Sequence, residues 1–149
     1  MPYGEKSEQQ LIEFADKIFR FFEQKKVKAV VMACNTTSAV TYEKLKDNYN
    51  FKIYPIIQSV ACIIAKLPIK RLGIFATSAT INSGMYTQEI HKISPQMLVY
   101  GMDCPQWVKI VEGKKENLPE SQQIIASDLV AMLLNKPEKI ILGCTHYPF

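Results

Sequence analysis

The stretch VVMACNTTSA, residues 30–39, passes from β-branched and apolar residues to a cysteine and then into amide and hydroxyl side chains. Its apolar part is too short for a helix and suits a buried strand, while Asn35, Thr36 and Thr37 are all types that cap a following helix. The reading is a strand, a turn carrying Cys34, and a helix through SAVTYEKLKDN at 38–48. Repetition of that unit builds a parallel α/β sheet.

The alternation extends in both directions. Upstream, Ser7 and Gln10 form a capping-box pair, and Leu11, Ala15, Ile18 and Phe22 recur at helical spacing, with Ile12 and Phe19 widening the stripe to about Lys25. Downstream, KIYPII (52–57) reads as a strand, QSVACIIAKL (58–67) as a helix closed by Pro68, and KRLGIFA (70–76) as the next strand, before the pattern breaks at TSAT (77–80). SGMYTQEIHKI (83–93), CPQWVKIVEG (104–113) and PESQQIIASDLVAMLLNK (119–136) read as helices, and QMLVYGM (96–102) and KIILG (139–143) as strands. Near-continuous apolar strands between amphipathic helices predict a doubly wound α/β fold with parallel sheets covered on both faces.

Composition narrows the function classes. With 149 residues, 48% hydrophobic and 21% charged, the chain suits one ordinary globular domain. No apolar run approaches the roughly 18 residues of a membrane span, and the polar start MPYGEKSEQQ lacks a secretory core, so a cytoplasmic protein without membrane partners is expected. The net charge of +4 is dispersed; KKVK (25–28) and GKKEN (113–117) read as solvated turns, which argues against nucleic acid as a partner. Cys34, Cys62, Cys104 and Cys144 show no CxxC spacing, so no metal site is expected and each thiol is either buried or reactive.

KVKAVVMACNT and KPEKIILGCTH echo each other: lysine, a few residues, three apolar residues, one small residue, cysteine, then polar groups. Cys34 and Cys144 are 110 positions apart, which suggests two related α/β halves, each presenting a thiol at a strand's carboxyl end, where open parallel sheets bind ligands. Unpaired N–H groups at a helix N-terminus would favour the thiolate there.

ACNTTSA (33–39) and GCTHYPF (143–149) resemble the paired cysteine motifs of the glutamate racemases, in the wider aspartate/glutamate racemase family. PYG at Pro2–Gly4 resembles that family's substrate loop, and Thr77 and Thr80 of ATSAT its third binding segment. The resemblance implies two pseudo-symmetric doubly wound lobes with a substrate cleft between them, residues 1–58 contributing to the first and 59–149 forming the second. It further implies inversion of glutamate at Cα without a cofactor, supplying D-glutamate for peptidoglycan, with Cys34 and Cys144 each serving one enantiomer and His146 tuning Cys144. Pro2, Tyr3, Gly4, Asn35, Thr36, Thr77, Thr80 and Thr145 would hold the substrate, with Glu112 a weaker match to an assisting glutamate.

Family members open with a strand and an Asp-Ser-Gly segment that the sequence before Pro2 does not supply, and they continue past the second cysteine motif. The expectation is an internal fragment with an incomplete first lobe, weak or no racemisation by itself, and an exposed sheet edge that favours a homodimer.

Other readings compete. Asn35 and Thr36 could be plain helix caps, Thr77 and Thr80 could cap the helix near INSGMY, and His146 could be structural. Cys62 and Cys104 read as packing residues and His91 as a solvated one. A Cys144–His146 hydrolase is disfavoured because residues two apart at a strand end diverge. The remaining alternative is a catalytically inactive relative that binds a small amino acid or a partner chain.

Overall fold

The computed structural model describes residues 3–148. A 3-10 turn at Tyr3–Glu5 leads into α1 (Glu8–Gln24), followed by β1 (Ala29–Met32), α2 (Asn35–Leu45), β2 (Lys52–Pro55) and α3 (Ile56–Ile64). The chain continues through β3 (Arg71–Ala76), α4 (Ser78–Asn82), α5 (Met85–His91), β4 (Leu98–Asp103), α6 (Pro105–Glu112), α7 (Pro119–Leu133) and β5 (Lys139–Gly143). β1 and β2 form one parallel pair with Val30 opposite Ile53, and β3 lies parallel between its neighbours in a second sheet ordered β4-β3-β5. The result is the parallel α/β architecture expected, built on two sheets.

The capping box forms as the sequence indicates: Gln10 N–H donates to Ser7 Oγ, and Ser7 N–H donates to Gln10 Oε1. Leu11, Ala15 and Phe19 form the buried stripe of α1, and the latter two close over Val30 and Met32 of β1. The Phe19 ring meets Tyr49 and Phe51 edge-on at 5.2 and 5.8 Å. Truncating such a ring to alanine costs about 3–5 kcal/mol.

In the second sheet β3 is central and alternates cleanly between two cores. Leu72, Ile74 and Ala76 pack with Ile57 and Ala61 of α3 and Tyr86 and Ile90 of α5. Phe75 faces the other way onto Trp107 of α6, 4.9 Å between rings, and Met132 of α7. Full coverage belongs to β3 and not to the first sheet, where Val31 is 68% and Tyr54 49% exposed because α1 packs on one face only.

Helix α2 is the seam between the sheets. Its small residues Thr36, Ser38, Ala39 and Thr41 are buried, which lets neighbouring helices approach closely. Ala39 joins the core around β3 while Leu45 joins that under α1, and Ser38 Oγ accepts the N–H of Ile57 at 3.5 Å.

Four local expectations are corrected. The strand read over 52–57 stops at Pro55, and α3 takes Ile56 and Ile57. The apparent break at 77–80 is the start of the one-turn helix α4, which runs on to Asn82. Cys62 is exposed, since Ile57 and Ala61 define the inner face of α3. His91 is half-buried, with Nε2 2.9 Å from Met97 O, rather than solvated. No helix among the described residues is long and apolar enough to cross a membrane.

Candidate active site

The first thiol sits where β1 gives way to α2. Cys34 is itself the N-cap, with extended backbone (φ −82°, ψ 122°), and its carbonyl accepts the N–H of Ser38 at 2.9 Å. Asn35, Thr36 and Thr37 lie inside the first turn of the helix, so the plain-cap reading of Asn35 and Thr36 is replaced: neither caps α2.

The second thiol follows β5 immediately. Tyr147 N–H donates to Cys144 O at 3.1 Å, closing a turn over residues 144–147. Side chains two apart diverge on a strand, but this turn brings His146 Nδ1 to 3.6 Å from Cys144 Sγ, which removes the geometric objection raised from the sequence. His146 Nε2 in turn lies 3.3 Å from Glu112 Oε1 at the end of α6. Thiol, imidazole and carboxylate thus stand in line.

Burial pushes the Cys144 thiol above its ordinary range, a hydrogen bond from the His146 backbone pulls it partly back, and the nearby Cys34 pushes it up again. This corrects the expected lowering at Cys144: desolvation outweighs the hydrogen bond from the His146 backbone.

Both thiols line one cavity of about 200 Å³. Pockets for drug-sized ligands run to about 300–1,000 Å³, so this one suits a smaller molecule. Tyr3 and Gly4 enter from the 3-10 turn, Asn35 and Thr36 from α2, Thr77 from the end of β3, and Thr145 and His146 from the last turn. Among the described residues none that lines it is Lys or Arg, so an anion there would rely on amide, hydroxyl and ring N–H donors and on the N-terminal turn of α2.

Thr80 stands behind this wall rather than in it. Thr36 and Thr77 share a hydrogen bond at 2.8 Å, Thr77 and Thr80 one at 3.0 Å, and Thr80 Oγ1 donates to Thr36 Oγ1 at 3.3 Å. The triangle ties α2 to α4. Thr77 also caps α4, accepting the N–H of Thr80, so the cap reading and the lining position coincide in one residue. Gly4 sits in a close approach: a Cβ there would lie 3.0 Å from Thr77 Cβ, so a larger residue would press on the threonine. Pro2 lies outside the described residues.

Cys104 is buried as expected, and burial with nearby Asp128 and Asp103 pushes its thiol up to about 12. Sequence reasoning missed Val108, which lines the cavity, the Glu5–Lys109 ion pair (2.9 Å) beside it, and Tyr86, which hydrogen-bonds Asn35 at 2.6 Å. These contacts join distant elements, and the local pattern marked Val108 and Tyr86 only as helix residues. Among the described residues no group of three or more His, Cys, Asp or Glu side chains is placed to hold a metal ion.

The fold is thus a parallel α/β one, with two thiols lining a single cavity beyond the strand ends. Residues 2–149 match the family model described as Asp/Glu/Hydantoin racemase, and the chain belongs to that family. It is 36% identical over 148 residues to a glutamate racemase of Streptococcus mutans, covering 99% of this chain and 56% of that protein. A glutamate racemase of Picosynechococcus sp. is 34% identical over 147 residues, with coverage of 99% and 52%. The crystal structure of the Francisella tularensis glutamate racemase in complex with D-glutamate superposes with a TM-score of 0.90 at 31% identity, over 99% of this chain and 56% of that one. The chain spans about half the length of the curated relatives it matches.

Proposed function

We propose that this chain takes part in the cofactor-independent interconversion of L- and D-glutamate, with Cys34 and Cys144 acting on opposite faces of Cα. The observation that carries the reading is that both thiols line one small cavity, each at the end of a parallel strand. Relatives named glutamate racemase, and a related structure holding D-glutamate, support the substrate.

Inversion needs a base on one face and an acid on the other. One thiolate takes the Cα proton and becomes a thiol; the electron pair stays on Cα, conjugated with the carboxylate. The opposite thiol then gives its own proton to the other face and is left as thiolate. Mutual repulsion opposes two charges in one site, and the upward push of Cys34 on Cys144 matches a pair that carries one charge between them. His146 stands within reach of the Cys144 thiol to exchange its proton, and Glu112 orients the ring through Nε2.

Pro2, Tyr3, Gly4, Asn35, Thr36, Thr77 and Thr145 would hold the substrate, with Thr80 supporting the two threonines. Residues 1–58 and 59–149 would contribute to two lobes of a cytoplasmic enzyme that supplies D-glutamate for peptidoglycan and pairs as a homodimer.

The test is incubation of the chain with each glutamate enantiomer in deuterated water, followed by chiral chromatography and mass spectrometry. Deuterium at Cα of the opposite enantiomer supports the reading. Protection of both thiols from alkylation by glutamate, without exchange at Cα, would instead identify a binding protein. Neither exchange nor protection removes glutamate as the ligand.

A further inference from the structure

We infer that Tyr86 is a positioning residue that orients the Asn35 amide as a donor to an anionic ligand; the inference rests on the proposed two-thiol site. Tyr86 is on α5, 4% exposed, and its hydroxyl donates to Asn35 Oδ1 at 2.6 Å. Burial pushes its phenol up to about 12, so it remains a donor at every physiological pH.

An amide carries its acceptor and its two donors on one carbon, so fixing the oxygen also fixes the direction of the NH₂ group. Asn35 is itself buried, lines the cavity and directly follows Cys34. With its oxygen held by Tyr86 it offers the cavity N–H donors, the groups a carboxylate needs where no described lining residue is Lys or Arg. The same ring lies against the second thiol's strand: a Cβ on Gly143, the residue before Cys144, would be 3.5 Å from Tyr86 Cε2. Tyr86 therefore holds the neighbour of one cysteine by its hydroxyl and borders the neighbour of the other with its ring.

The experiment compares alkylation of Cys34 by iodoacetate, which carries a carboxylate, and by iodoacetamide, which does not. Rates are read by mass spectrometry on the intact chain and on Tyr86→Phe, Asn35→Ala and the double variant. Tyr86→Phe keeps the ring and removes the hydroxyl. The expected result is an iodoacetate-to-iodoacetamide ratio lowered about tenfold in each single variant, the size of one lost hydrogen bond to a charged group. The double variant should fall no further than Asn35→Ala alone, because Tyr86 acts through Asn35. An unchanged ratio in Tyr86→Phe, or an additive fall in the double variant, overturns the inference. A parallel arm adds D- or L-glutamate to the wild-type chain. Should neither protect Cys34 while the ratio behaves as expected, the glutamate reading fails and the role of Tyr86 stands.

Discussion

Cys144 shares a cavity with a second thiol, and its own proton is held by desolvation more strongly than the His146 backbone releases it. Alkylation of Cys144 by iodoacetamide, followed against pH by mass spectrometry, should show its inflection above the ordinary thiol value of 9.0. Replacing Cys34 with serine removes the neighbouring charge, so the inflection should move down. An inflection that stays where it was would mean that the two thiols do not sense each other. Cys34 and Cys144 were legible because a thiol at the end of an apolar strand is a local pattern. Tyr86 was not, because its bond to Asn35 spans 51 positions and its place beside Ile90 reads as ordinary helix core. The Glu112–His146 pair likewise depends on α6 and the last turn meeting in space.

At the scale of elements, the periodic signals carried most of the assignment, and they failed where two structures share a composition. Ile56 and Ile57 are β-branched and follow a strand, yet Pro55 stands at the N-cap of α3 and the helix begins with them. Helix α4 has five residues, too few to show a period, although the Thr77 cap gave its start. The lysine-rich segments expected to be turns are helix exits that place Lys26 and Lys114 at φ 54° and 51°. Glycine bears that conformation without a Cβ clash, so Lys26→Gly should raise the stability measured in urea by about 1 kcal/mol. A loss instead would mean that the lysine side chain holds the turn. The core around α6 adds a pH dependence. Cys104 moves from an ordinary 9.0 to about 12, so the folded state retains its proton longer than the unfolded chain does. Its stabilising contribution is present below pH 9 and is lost as pH rises towards 12. Unfolding free energy should therefore fall over that range, and Cys104→Ala should flatten the slope; an equal slope in the variant would assign the effect to other groups.

For the molecule as a whole, α2 joins two parallel sheets, and the cavity lies where its N-terminal turn meets the ends of β3 and β5. The strand order β4-β3-β5 and the one-sided cover of β1–β2 come from how helices distribute over faces, which local sequence does not record. Val31 at 68% and Leu134 at 79% exposure leave apolar surface open on β1 and at the end of α7. Sedimentation should show association that grows with concentration, reduced in Val31→Lys; a monomer at every concentration would contradict it. The central claim, one thiol for each face of Cα, is tested most directly by deuterium exchange in Cys34→Ser and Cys144→Ser. An alcohol is a far weaker acid than a thiol, so each variant should lose racemisation by about 10²–10⁴-fold. Each should keep slow Cα exchange with only the enantiomer whose proton faces the surviving thiol, and the two variants should prefer opposite enantiomers. The same preference in both, or full racemisation after removal of either cysteine, would contradict the two-thiol account.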